Sequence, residues 1–167
     1  MLDLSLSTRP ALGAALAIFL LAAATISGAW IFQASGYAPC ELCLKERLPY
    51  YAGLGVSALA IGFAWRGPRS LCLVAFAILF VIFAFSAGFG VYHAGVEWRY
   101  WPGPADCTGS FQKASSPAEF LKQLQTIKVV PCDEVALRIL GLSLAGWNAV
   151  ISAALAALAI VGSRSRT

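Results

Sequence analysis

The sequence predicts an all-α, polytopic membrane protein: a four-transmembrane-helix bundle with a long outer loop carrying a short interfacial helix. Three observations predict it. The apolar set AVILMFWYC makes up 59% of the 167 residues and DEKR only 12%, against about 25% charged residues in an ordinary soluble domain. Four stretches reach the roughly 17–25 uncharged residues that a bilayer crossing needs. None of them alternates with period two, which favours helices over barrel strands. Twelve basic and eight acidic residues cannot cover the surface of so small a chain in water. A soluble globular protein, a disordered chain and a nucleic-acid binder with a basic face are therefore excluded. The lipid bilayer is the expected surroundings, and residues 1–167 form a single domain.

The first span covers residues 11–32, from Ala11 to Phe32. Its start resembles a signal peptide, with Arg9 ahead and small residues at Ala24–Ala29. Its apolar run exceeds the usual signal-peptide core of about 7–15 residues, so it reads as a retained span. An outer segment, 33–47, follows. The second span, 48–65, sits at the short end of the range, with Pro49 in its first turn, where a missing N–H costs little. The four-residue link Arg66–Arg69 leads to the third span, 70–92. The long outer loop is 93–138. Within it, Ser116-Pro117-Ala118-Glu119 reads as a capping box with proline at the first helical position. Phe120, Leu121, Leu124 and Ile127 then share one face, as in a helix lying at the membrane interface or packed on the span ends. The fourth span covers 139–163.

Basic residues fix the orientation. Arg9, Arg66, Arg69, Arg164 and Arg166 face one acid, Asp3, on one side. On the other side Lys45, Arg47, Arg99, Lys113, Lys122, Lys128 and Arg138 are balanced by Glu41, Glu46, Glu97, Asp106, Glu119, Asp133 and Glu134. Both termini are expected in the cytoplasm and both larger segments outside.

Four of the five cysteines, Cys40, Cys43, Cys107 and Cys132, lie on that outer side. In an oxidising compartment they are expected to pair. Cys40 and Cys43 are close enough to bond each other, which leaves Cys107 with Cys132. Structural stapling of the loops would explain the second pair. It explains the first poorly, because so small a ring gains little from loop closure. A two-residue spacing is the one used where a disulfide is made and broken repeatedly. A helix N-terminus near Cys43, and Arg47 four residues on, both favour a thiolate. Lys45 adds to this and Glu41 and Glu46 oppose it. A zinc shell of four cysteines is the third reading. The 24 residues between Cys107 and Cys132 lack a second tight knuckle, and no metal is expected. Cys72 reads as a small buried apolar residue.

Together these residues resemble the disulfide bond formation protein B (DsbB) family. The resemblance rests on Cys40-x-x-Cys43-x-x-x-Arg47 opening the second span and on the second cysteine pair in the outer loop. Trp101-Pro102-Gly103-Pro104 ahead of Cys107, and Tyr92-His93 ending the third span, also carry it. It covers nearly the whole chain. It implies a thiol:quinone oxidoreductase of the bacterial inner membrane, with redox disulfides Cys40–Cys43 and Cys107–Cys132. The implied partner is a DsbA-type periplasmic thiol oxidase, and the implied cofactor a membrane quinone, ubiquinone or menaquinone. By the same resemblance Cys107 is attacked by the reduced partner. Cys132 passes the reducing equivalents to Cys40, and Cys43 faces the quinone as a thiolate beside Arg47. DsbA is itself a strong oxidant at about −120 mV, so reoxidising it requires a still stronger acceptor.

His93, the only histidine, either hydrogen-bonds the quinone and assists proton transfer or serves as an interfacial polar anchor. Glu97 reads as a solvated loop charge or a partner for Arg99 or Arg47. Trp98, Tyr100 and Trp101 read as an aromatic belt. Two alternatives stay open. One is a quinone-linked oxidoreductase serving another thioredoxin-like protein, and the other a non-catalytic tetraspan protein with structural disulfides.

Overall fold

The computed structural model describes residues 10–104, 107, 116–118, 121 and 131–165. Four long helices dominate: α1 (Pro10–Ala34), α2 (Glu41–Arg66), α3 (Arg69–Glu97) and α4 (Leu144–Arg164). All four are long and apolar enough to cross a membrane. Two two-residue strands, β1 (Arg138–Ile139) and β2 (Leu142–Ser143), form a hairpin just ahead of α4. The chain is thus an all-α, multi-pass membrane bundle. Each helix packs against two others, α1 on α2, α2 on α3, α3 on α4 and α4 back on α1. The interfacial helix expected near Ser116–Ile127 falls largely outside the described residues.

The packing is that of a membrane protein. Helices buried against lipid gain little from apolar burial, so close approach through small residues replaces it. The buried stripe of α1 is Ala11, Ala14, Ala15, Ile18, Ala22 and Ile26, a spacing that keeps one face inward. It meets Phe76, Leu79 and Phe83 of α3 and Leu155, Ala156 and Ala159 of α4 in one core. At Gly90 a Cβ would stand 2.8 Å from the backbone nitrogen of Ala149, so α3 and α4 touch backbone to backbone there. The opposite faces expose Leu20, Ile31, Leu59, Val81, Phe85 and Val161, which suits a lipid-facing surface. Cys72 is buried in the main core beside Ala75 and Phe76, as its reading as a small apolar residue expects.

Buried polar groups in this setting satisfy one another. The Tyr50 hydroxyl donates to Asn148 Oδ1 at 2.7 Å and lies 3.0 Å from Ser152 Oγ. Ser152 in turn donates to Ser86 Oγ at 2.9 Å. This network ties α2, α3 and α4 together, with Tyr50 about three turns of α2 beyond Cys40.

Three boundaries differ from the sequence expectation, each for a local reason. Helix α2 starts at Glu41 rather than at 48, because Cys40 caps it and the charged run Glu41–Arg47 continues the same helix. Pro49 is therefore inside the helix rather than in its first turn, and it leaves the carbonyl four residues back without its usual amide partner. Helix α3 runs on to Glu97, which brings His93 within it. Helix α4 starts at Leu144 rather than 139. Leu140 and Gly141 adopt φ of 53° and 86°, the pair of positive values that a tight two-residue hairpin requires. Ser143 then caps α4 by accepting from the Gly146 amide at 3.1 Å.

Candidate functional site

The C-terminal ends of α1 and α3 and the N-terminal ends of α2 and α4 meet at one end of the bundle. Cys40 sits there as the N-cap of α2, with extended backbone (φ −72°, ψ 171°). Its Sγ accepts from the Cys43 amide at 3.2 Å, so the sulfur takes the place of the oxygen that usually caps a helix. The Cys43 sulfur is 2.8 Å from the Cys40 sulfur. Joining the two requires a closure of about 0.8 Å, since a disulfide bond is about 2.03–2.05 Å long.

On the other side of Cys40 lies His93, with Nε2 3.6 Å from the sulfur. His93 Nδ1 is 3.0 Å from Glu46 Oε1. Histidine and glutamate are both buried, at 2% and 8% exposure. The chain Cys43–Cys40–His93–Glu46 thus joins two sulfurs, an imidazole and a carboxylate, all buried except the half-buried Cys43. His93 is buried at the centre of the site, which removes the reading of it as an anchor facing the interface. Cys40 lies one residue ahead of α2, outside the spanning helices. Its thiol is pulled down from 9.0 to about 5. The close Cys43 thiol is the main cause, burial opposes it, and the hydrogen bond and charge of His93 reinforce the shift. The anion-stabilising contacts therefore converge on Cys40.

Arg47 is oriented differently from the sequence expectation. Its guanidinium donates to Gln33 Oε1 at 2.7 Å and to the Ala29 carbonyl at 3.4 Å, and it lies over the Trp30 ring. It is thereby held against α1, at the wall of a cavity rather than on a sulfur. That cavity measures about 530 Å³. Cys40, Cys43, Glu46, Arg47, His93 and Asn148 line it, between apolar walls from α1 and the start of α4. Asn148 is 8% exposed; its Oδ1 accepts from Tyr50, and its side-chain amide faces the Glu46 carboxylate. Glu97 also lines the cavity. It is the last residue of α3, with a buried Oε2 that lacks a hydrogen-bond partner among the described residues. It is not a solvated loop charge.

Cys107 and Cys132 form a disulfide, with Cα atoms 5.4 Å apart. Cys132 is buried and Cys107 is half-buried. Both belong to a small apolar cluster with Cys40, Leu42 and Val96, against which Cys43 and Phe89 also pack. Cys40, Cys43, Cys107 and Cys132 thus share one packed unit. A second hollow of about 520 Å³ opens over Cys107, lined by Tyr100, Trp101, Pro102, Gly103 and Pro104. Pro131 borders both hollows. Trp101 is more than a belt residue. Its Nε1 donates to the Tyr92 carbonyl at 2.8 Å and its ring stacks on Tyr92, which pins the loop to α3.

The sequence reading missed Glu46, Asn148, Tyr50 and Gln33. A signal for Glu46 was present. It lies three residues after Cys43, and therefore on the same helical face once α2 is known to start at Glu41. An acid in a spanning helix is expected to be functional.

Two cysteine pairs gathered at one end of a four-helix membrane bundle define a membrane protein of thiol–disulfide chemistry. The chain belongs to the disulfide bond formation protein DsbB family, whose model matches residues 11–162. Among curated proteins it is 30% identical over 150 residues to the disulfide bond formation protein B of Marinobacter nauticus, covering 86% of each chain. It is 31% identical over 162 residues to that of Nitrosospira multiformis, covering 91% of this chain and 90% of the relative. No solved structure matches it.

Proposed function

We propose that the protein is a thiol:quinone oxidoreductase of the bacterial inner membrane. It reoxidises a DsbA-type periplasmic dithiol oxidase and so sustains protein disulfide formation. Both termini lie in the cytoplasm in this reading, and the cysteine end faces the periplasm. The observation that carries it is the shared cluster. A half-exposed disulfide under an outer hollow is packed against a buried cysteine pair, and that pair borders a membrane-level cavity.

The chemistry is two exchanges in series. A partner thiolate attacks Cys107 Sγ. The Cys107–Cys132 bond breaks, a mixed disulfide forms, and Cys132 leaves as a thiolate. The partner's second thiolate then attacks its own sulfur of that mixed disulfide, which completes the partner's disulfide and frees Cys107. Cys132 is the group that attacks Cys40 of the oxidised inner pair, releasing Cys43 as a thiolate. Attack by Cys107 on Cys132 then restores the outer disulfide and leaves the electron pair on Cys40 and Cys43. His93 Nε2 is the group within reach of the proton at Cys40, and Glu46 fixes the imidazole by holding Nδ1.

The cavity fits a quinone head group in size and character. Small-molecule sites run to about 300–1,000 Å³, with apolar walls and few polar groups. Asn148 Nδ2, at the cavity wall, and the Arg47 guanidinium are the donors that would hold the ring oxygens. A bound quinone supplies a two-electron, two-proton acceptor for the Cys40–Cys43 dithiol. Arg47, being always charged, favours an oxygen that gains negative charge.

The test is reoxidation of a reduced DsbA-type protein by the purified protein in detergent, with and without added quinone. Oxidation should require quinone and should be lost in Cys43→Ser. Quinone-independent oxidation, or unchanged turnover in that variant, contradicts the proposal.

A further inference from the structure

The inner pair has a capability that electron transfer does not use. The sulfurs of Cys40 and Cys43 and a ring nitrogen of His93 all lie within 4.8 Å of one another. Two thiolates and an imidazole are the donor set that zinc prefers, and three protein ligands with one open position are a familiar zinc arrangement. The His93 ring is already oriented for that role. Its Nδ1 is held by Glu46 Oε1 at 3.0 Å, which leaves Nε2 facing Cys40. A carboxylate behind a ligating histidine is the usual second layer of such sites. The cavity that borders all four residues supplies an entry path and room for a water on the open side.

We infer that the reduced Cys40–Cys43 pair, with His93, forms a binding site for zinc or a similar thiophilic divalent ion. This shell differs from one built of four cysteines, since it needs neither Cys107 nor Cys132. Binding takes both sulfurs as thiolates and the imidazole as the neutral ring, releasing to solvent whatever protons they carry, with no change in oxidation state. The bound form has both sulfurs committed to the metal, so the pair cannot close to a disulfide. Zinc is therefore an inhibitor that captures the reduced protein. That consequence for turnover rests on the oxidoreductase reading above; the binding does not.

The experiment uses the full chain in detergent with Cys107→Ser and Cys132→Ser, so that only the inner pair can chelate. The protein is reduced with a phosphine, desalted under nitrogen and titrated with Zn²⁺ or Co²⁺. One ion per chain is expected. Zinc X-ray absorption should show two sulfurs at about 2.3 Å and one nitrogen at about 2.0 Å. Cobalt should give tetrahedral d–d bands with a thiolate charge-transfer band. His93→Ala should weaken binding at least tenfold, and Glu46→Gln by about tenfold. Absence of a bound ion, a shell without nitrogen, or unchanged affinity in a folded His93→Ala protein overturns the inference. If His93→Ala does not fold, the zinc spectrum of the parent protein decides alone. Zinc inhibition of turnover, reversed by a chelator, is a separate readout. Its failure with binding intact would count against the oxidoreductase reading and leave the metal site standing.

Discussion

The two cysteine pairs are built on opposite plans. The inner pair, Cys40 and Cys43, sits at the first turn of a long helix, and its side-chain hydrogen-bond partner outside the pair, among the described residues, is His93 of α3. The outer pair, Cys107 and Cys132, belongs to the connection between α3 and the hairpin, and one of its sulfurs is half-exposed under a hollow. A helix fixes a side chain to a narrow set of positions, which suits electron transfer to a small ring. A loop can present a sulfur to a protein, which suits disulfide exchange. The difference teaches that access and precision are divided between two sites that share one cluster of packed side chains.

The largest effect should come from severing the two. Cys132→Ser should lower turnover by at least about 10³-fold, and its free Cys107 thiolate should form a covalent complex with the oxidised partner by attacking the partner's disulfide. Non-reducing gel electrophoresis checks this, and turnover without such a complex would break the division of roles. Arg47→His tests the inner site alone. Loss of a charged hydrogen bond costs about 1.5–3 kcal/mol, so quinone reduction should slow by roughly 10–100-fold while partner binding is unchanged. Equal losses in both steps would remove Arg47 from the quinone side. Trp101→Ala should act in the opposite sense. Without its bond to the Tyr92 carbonyl and the stacked ring, the loop loses its tether to α3. Formation of the mixed disulfide should slow by up to about tenfold, with quinone reduction unaffected in single-turnover measurements.

The smallest expected effect is on pH dependence. The Cys40 thiol is lowered to about 5, so its anion is present above that pH and is lost as the pH falls through it. Thiolate absorbance near 240 nm, in reduced protein with Cys107→Ser and Cys132→Ser, should titrate with a midpoint near 5. His93→Ala should move the midpoint upward. A midpoint in the ordinary thiol range would show that Cys40 lacks the stabilisation its contacts imply.

Most of the fold was legible because hydropathy and span length are properties of composition. The first and third spans, 11–32 and 70–92, fall inside α1 and α3. The start of α2 was hidden. Lys45, Glu46 and Arg47 end an apolar run, but they do not end a helix that Cys40 caps. Reading 33–47 as an outer segment therefore placed Glu46 in a loop, when it is a buried partner of His93. The hairpin before α4 was hidden for the converse reason. Ile139, Leu140 and Leu142 are apolar enough to extend a span, and only the positive φ at Leu140 and Gly141 shows the turn. The Cys107–Cys132 bond was legible from the number and spacing of the cysteines. The position of Arg47 was not, because helical spacing puts it on the Cys43 face but cannot foresee that Gln33 and the Ala29 carbonyl hold its guanidinium.

The central claim is that the outer and inner pairs form one path, with Cys132 delivering to Cys40. The most direct test is a protein carrying Cys43→Ser and Cys107→Ser, which leaves only those two sulfurs of the four. After mild oxidation, peptide mass mapping should find a Cys40–Cys132 disulfide within one chain. If both sulfurs stay free, or bond only between chains, the two pairs do not communicate and the path does not exist.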